Sequence, residues 1–163
     1  MSPITSIRMT KTFTHTVPAP PGSVFPLLCP QREYEWIEGW ECEMVYSESG
    51  VAEKDCVFTK NLPGAGPSVW VVSRYEPDQR IEFVITCPGS HVEKLEIALA
   101  DLGQEGTRLT WTRIYTSLSE KGAAFLDQAA VPAFEPRMEW LARSMDYFLA
   151  NGQALAGAQP EKR

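Results

Sequence analysis

From Val92 to Thr116 the side chains alternate with a period of two, interrupted only by the short link Gly103 to Gly106. Two long alternating runs joined by so few residues predict an antiparallel hairpin, with strands over 92–102 and 107–116. Pairing Asp101 with Thr107 sets Leu99 opposite Leu109, Ile97 opposite Trp111, Leu95 opposite Arg113 and Glu93 opposite Tyr115. The other face carries Lys94 and Glu96 against Thr110, Thr112 and Thr116, which suits water. The first face is apolar near the turn and polar at the far end, where His91 also begins its strand. Such a gradient is what a pocket for an amphipathic molecule needs: apolar walls and a few placed polar groups.

The rest of the chain fits around this hairpin. Phe13 to Val17 alternates as a first strand. Pro20 and Pro21 suit a helix start and Pro30 a stop, so Pro21 to Leu28 reads as a short helix, with Pro26 an obstacle inside it. Gln31 to Ile37 makes a second short helical piece. Strands follow over Trp40–Tyr46, Asp55–Asn61, Ser68–Glu76 and Arg80–Thr86, with turn residues between them, so the strands form an antiparallel meander. In Ser68–Glu76 both Trp70/Val72 and Val69/Val71 are apolar, which leaves the inward face open. After Ser117 the period changes. Ser117 stands three before Glu120 in capping-box spacing, and Phe134, Met138, Leu141, Met145 and Phe148 form one helical stripe that Asn151-Gly152 ends. Pro132 and Pro136 predict a break, with one piece near 119–130 and the main helix near 136–150.

The stretch Cys29 to Ser47 mixes rings with acids. Alternation puts Trp40, Cys42, Met44 and Tyr46 on one face and Glu41 and Glu43 on the other, in water. Glu35 and Glu38, three apart, read as a wet helix face. The rings are the informative part, placed beside an opening between the short helices and the sheet.

With 163 residues, 44% of them apolar, the chain fits one domain over 1–163, its core near 10–150 and its tail after Gly152 frayed. A net charge of −6 without basic runs argues against nucleic acid or anionic membrane as partners. No apolar run reaches the roughly 20 residues of a membrane span, and MSPITSIRMTK lacks a signal-peptide core. The expectation is a cytoplasmic protein. Cys29, Cys42, Cys56 and Cys87 form no C-x-x-C pair, and His15 and His91 lie far apart, so no metal site is expected and the cysteines read as buried thiols. Pro63-Gly64-Ala65-Gly66-Pro67 lacks any nucleotide-binding signature and reads as a loop at a pocket mouth; Ser68 is not in a nucleophile elbow.

The element order, V-P-A-P-P-G-S-V-F-P-L-L over 17–28, C-P-x-x-E-Y-x-W-I-x-G-W-E-C-E over 29–43 and G-T-R-L-T-W-T over 106–112 resemble the START-like (SRPBCC, helix-grip) superfamily, in its bacterial polyketide cyclase/dehydrase-like branch. The resemblance covers about residues 10–150 and implies an α+β helix-grip fold. In that fold about seven curved antiparallel strands wrap a long C-terminal helix, with two short helices after the first strand. It also implies a deep pocket for a hydrophobic small molecule between sheet and helix, and no cofactor. Pro132 and Pro136 depart from the pattern and bear on the pocket's volume.

Three functions compete. The favoured one is a carrier or sensor binding a hydrophobic or amphipathic small molecule, with Trp36, Trp40, Trp111, Ile97, Met138 and Met145 as apolar contacts and Glu93, Arg113 and Tyr115 as polar ones. Each tryptophan, Trp70 included, either lines the pocket or simply fills the core. The second is a cofactor-independent cyclase or dehydratase, in which Arg113 and Tyr115 stabilise an enolate beside Glu93. A plain Glu93–Arg113 ion pair is the bland alternative to both. The third is a protein-interaction, co-chaperone-like domain; homodimerisation through the sheet or helix is equally open. His91 and His15 read as satisfied or exposed structural histidines.

Overall fold

The computed structural model describes residues 6–157. Seven strands form one open antiparallel sheet in the order β1-β7-β6-β5-β4-β3-β2. They are β1 Arg8–Val17, β2 Glu43–Tyr46, β3 Val57–Leu62, β4 Gly66–Glu76, β5 Arg80–Cys87, β6 His91–Asp101 and β7 Thr107–Ser117. Between β1 and β2 lie α1 Pro21–Val24, a 3₁₀ turn Phe25–Leu28 and α2 Pro30–Trp36. A helical run closes the chain: α3 Glu120–Phe125, a π turn Leu126–Ala130 and α4 Val131–Asn151. The architecture is the α+β helix-grip arrangement that the resemblance implies. The tail from 158 onward lies outside the described residues.

The central hairpin pairs as its alternation requires. Asp101 opposes Thr107, Ile97 opposes Trp111, Leu95 opposes Arg113 and Glu93 opposes Tyr115. On β4 the inward set is Ser68, Trp70 and Val72, while Val69 is exposed. Leu27, Phe58, Ile85, Ile97, Leu109 and Met138 are among the side chains almost wholly removed from water, each contributing about 1.5–3 kcal/mol.

Four local expectations need correction. Pro132 and Pro136 do not break the final helix; the chain stays helical from Glu120 to Asn151. The adjustment is the π turn, where Val131 N–H donates to the Leu126 carbonyl five residues back, just before Pro132. This wider turn relieves the clash a proline ring makes with the carbonyl four residues earlier. Both prolines are exposed. An interior proline costs about 3 kcal/mol, less than burying Phe134, Met138, Leu141 and Met145 returns. So the helix persists through Pro136.

The helix start is not capped by Ser117. Its hydroxyl accepts from Ile7 N–H at 2.9 Å, and the cap is Ser119, whose Oγ accepts from Gly122 N–H at 3.0 Å. Strand β2 does not begin at Trp40. Over Trp40–Cys42 the Tyr34 hydroxyl takes the place of a neighbouring strand, donating to the Cys42 carbonyl at 2.8 Å and accepting from its N–H at 2.9 Å. Finally, Tyr46 does not share the face of Trp40, Cys42 and Met44. A bulge between Met44 and Tyr46 shifts the register, and Tyr46 is 62% exposed.

Candidate functional site

A cavity of about 760 Å³ lies between the sheet's inner face, α2 and the first half of α4, within the size range of small-molecule sites. Its deep wall comes from the central hairpin and β5: Phe83, Leu95, Ile97 and Trp111. Across from them stand Phe134, Met138 and Leu141 of α4, with Trp40 and Trp70 at one side. The tryptophan N–H groups are already bound by protein. Trp40 Nε1 donates to the Pro30 carbonyl at 2.9 Å, Trp70 Nε1 to Ser68 Oγ at 2.9 Å and Trp111 Nε1 to His15 Nε2 at 2.9 Å. With these polar edges satisfied, the rings offer carbon faces to whatever enters.

At the polar end, β-sheet geometry forces Glu93 and Arg113 onto the inner face. Glu93 is 5% exposed and each of its oxygens has its own donor. His91 Nε2 binds Oε1 at 3.0 Å and Arg113 Nη1 binds Oε2 at 2.5 Å. The Ser90 hydroxyl lies 2.9 Å from His91 Nδ1, so a neutral ring satisfies both contacts as the Nε2–H tautomer. Burial alone pushes the Glu93 carboxyl up. The Arg113 guanidinium and the His91 bond outweigh it and hold the group below the usual carboxylate range. Next to the pair, burial drives the Tyr115 phenol up to about 12 despite Arg113. It therefore stays a neutral hydroxyl. An arginine locked by a carboxylate beside such a hydroxyl can fix a ligand oxygen in place.

A second carboxyl enters from α2. Glu33 and Ile37, four residues apart, both line the cavity, and Trp40 follows three later. Glu33 is half-buried and lines the cavity. Burial pushes it up to about 8, although Arg137, Lys60 and Arg113 all act to lower it. Lys60 Nζ also sits 4.5 Å from the centre of the Trp40 ring.

Seven of the anticipated contacts therefore converge on one cavity: Trp40, Glu93, Ile97, Trp111, Arg113, Tyr115 and Met138. Trp36 and Met145 do not line it. Both are fully buried, and Trp36 donates to the Leu27 carbonyl at 2.8 Å, bracing the 3₁₀ turn. Glu33 and Arg137 were not anticipated. Glu33 had no periodic signal, because α2 ends at Trp36 and Ile37 and Trp40 lie beyond it; Arg137 lies within the apolar stripe, between Phe134 and Leu141. His91 is buried and satisfied rather than part of a loop. His15 holds Trp111, and burial lowers its imidazole to about 4; its Nδ1 is buried without a hydrogen-bond partner. The four cysteines are free thiols, Cys56 and Cys87 buried and Cys29 and Cys42 half-buried. Among the described residues no cluster of three metal-ligating side chains occurs, and no helix is long and apolar enough to cross a membrane.

An open antiparallel sheet gripping one long helix over a lined cavity defines a class of small-molecule-cavity domains. Within that class, the chain belongs to the family described as polyketide cyclase / dehydrase and lipid transport, whose model matches residues 8–151. No curated protein matches it. Among solved structures, it is similar to an uncharacterised protein from Rhizobium leguminosarum, with TM-score 0.65 and 13% identity over 90% of this chain and 97% of that one. It is also similar to CalU16 from Micromonospora echinospora, with TM-score 0.57 and 19% identity over 96% and 78% of the two chains. A third is DynU16, a protein of the dynemicin biosynthetic locus, with TM-score 0.59 and 18% identity over 88% of this chain but only 48% of that one. At these identities the likeness is one of fold.

Proposed function

We propose that the protein binds a hydrophobic or amphipathic small molecule in this cavity, as a carrier or sensor. The observation that carries the reading is the division of the walls: tryptophan, phenylalanine and aliphatic faces on most sides, and a few fixed polar groups at one end. The four free thiols fit a reducing compartment, and with this reading we place the protein in the cytoplasm. Native mass spectrometry of the purified protein tests the proposal. A discrete extra mass that is lost on denaturation supports it. A ligand-free mass, together with no response to a fluorescent apolar probe, overturns it.

A second reading is favoured by one feature, the Tyr115 hydroxyl next to Arg113 on the cavity wall. A neutral phenol and a guanidinium can share the negative charge of an enolate, as an aldol-type cyclisation requires. Under this reading Tyr115→Phe keeps the fold and lowers turnover of an enolisable β-diketone by about 10²-fold. An unchanged rate would remove the role.

A further inference from the structure

The exposed apolar side chains are not scattered. Among the described residues six large ones stand open to water, and five of them, Tyr34, Val45, Tyr46, Val51 and Val69, surround strand β2. Val45 and Tyr46 belong to the strand, each 62% exposed. Val51 lies in the loop that follows, which Ser47 Oγ draws back by donating to the Val51 carbonyl at 2.6 Å. Val69 shares the sheet's outer face along the row Glu43, Thr59, Val69. Tyr34 comes from α2 and binds Cys42, the residue just before the strand.

Strand β2 is also an end strand, with β3 as its only neighbour in the sheet. Alternation decides which of its backbone groups face the open side. The Glu41 carbonyl accepts from Lys60 Nζ of β3 at 3.4 Å, and Glu43 opposes Thr59 of β3. Glu41 and Glu43 therefore turn their backbone groups toward β3, and Cys42 and Met44 turn theirs away. At Cys42 the Tyr34 hydroxyl binds both the N–H and the carbonyl, as a neighbouring strand would. One step along the same edge, no side chain or loop among the described residues takes that place at Met44. The charge beside this edge has one sign. Glu41, Glu43 and Glu48 are exposed, while the bases of the stretch, Arg32 and Lys54, pair with Glu35 and Asp55. The strand's shortness, its bulge and these acids keep a second copy from pairing edge to edge, since a copy brings three more carboxylates to the same line. The same acids attract a strand of opposite sign.

We infer that β2 is a docking edge for an extended, cationic segment of another protein. The segment adds as an eighth strand beside Met44, sets lysine or arginine side chains against Glu43 and its neighbours, and covers Val45 and Tyr46 with its apolar ones. Backbone hydrogen bonds hold it, and the acids choose its charge. This goes beyond the small-molecule reading and does not rest on it, for Met44, Val45 and Tyr46 do not line the cavity.

Two synthetic peptides of about ten residues test the inference, one alternating valine with lysine and the other valine with glutamate. Each is titrated into the full, isotopically labelled chain and followed by amide NMR. The lysine peptide should bind at least about tenfold tighter than the acidic one, and weaken at least about threefold as salt rises from about 0.05 to about 0.3 M. Once bound, it should slow hydrogen exchange at Met44 N–H at least about tenfold and leave Glu43 N–H, already turned to β3, unchanged. Glu43→Lys and Tyr46→Lys should each weaken it at least about fivefold. Circular dichroism checks the fold of both variants; if either does not fold, exchange at Met44 in the unchanged chain decides. Equal binding of the two peptides, or binding of neither, overturns the inference. So does binding of the lysine peptide with Met44 exchanging as before, which would mark charge attraction with no strand added.

Discussion

Glu93 and Glu33 line the same cavity, and both feel Arg113, yet their carboxyls are driven in opposite directions. Burial raises each of them. Glu93 is returned below the usual range first by the charge of Arg113, 2.5 Å from one oxygen, and then by the His91 bond to the other at 3.0 Å. Burial leaves Glu33 at about 8, although Arg137, Lys60 and Arg113 act to lower it through space. A cation in direct contact with the carboxylate, joined by a second donor, offsets its burial; cations that make no hydrogen bond to it do not. One carboxylate becomes a fixed brace for Arg113. The other becomes a group that changes charge only near pH 8.

The sharpest way to break this comparison is to remove the brace. Glu93→Ala leaves Arg113 and His91 buried without their shared acceptor, so it should destabilise the fold by about 3–5 kcal/mol in urea unfolding. A loss below about 1 kcal/mol would mean that the pair is no brace. Next in size is a change that reaches the brace only through the backbone. A Cβ on Gly122 would stand 1.8 Å from the Ser90 carbonyl, which backbone shifts alone can relieve, and Ser90 holds His91. Gly122→Ala should therefore cost about 3 kcal/mol, although the same change in an open helix gains up to about 1 kcal/mol. A stabilised variant would show that the turn at Ser90 is free to move.

The brace was legible in the sequence and the switchable carboxyl was not, for a physical reason. Glu93 sits in a long run of strict alternation, and Asp101↔Thr107 pairing fixes every partner up to Glu93↔Tyr115. A period of two leaves little freedom once one face must be buried. Glu33 sits on a seven-residue helix, too short for a stripe to stand out, among acids that do face water, such as Glu35. Pro132 and Pro136 misled in a similar way. Local stereochemistry argued for a break, and the π turn and the burial of Phe134 and Met138 carried the helix through. The helix cap was misplaced by two residues, since Ser117 and Ser119 both precede Glu120 and only tertiary contact gives Ser117 another partner.

A smaller effect tests Glu33 by stability alone. Its folded-state value lies above that of the unfolded chain, so the folded protein holds more protons between about 4.5 and 8. Whatever favourable contribution it makes is complete below the unfolded value and is lost as pH rises through the folded one. Glu33→Gln removes that dependence. Because the side chain is only half-buried, the full shift is not counted, and we expect the variant to exceed the unchanged protein by about 2 kcal/mol near pH 9 and to match it near pH 5. Chemical unfolding at both values reads this directly. An equal gap at both would mean that the carboxyl does not titrate in that range.

The smallest expected effect lies ten residues along the chain, and it separates inner from outer carboxylates. Glu43 lines the cavity's mouth, as Glu33 lines its interior, but Glu43 is exposed and opposes Thr59 on the neighbouring strand. An exposed side chain outside the core contributes little to stability, and Glu43→Gln should alter it by less than about 0.5 kcal/mol at both about pH 5 and about pH 9. This result matters because both residues belong to one acidic stretch, Glu33 to Glu43, and are told apart by the face of the chain they occupy. If Glu43→Gln reproduced the pH-dependent gain of Glu33→Gln, the effect would belong to the stretch's summed negative charge, and enclosure by Arg137, Lys60 and Arg113 would no longer explain it.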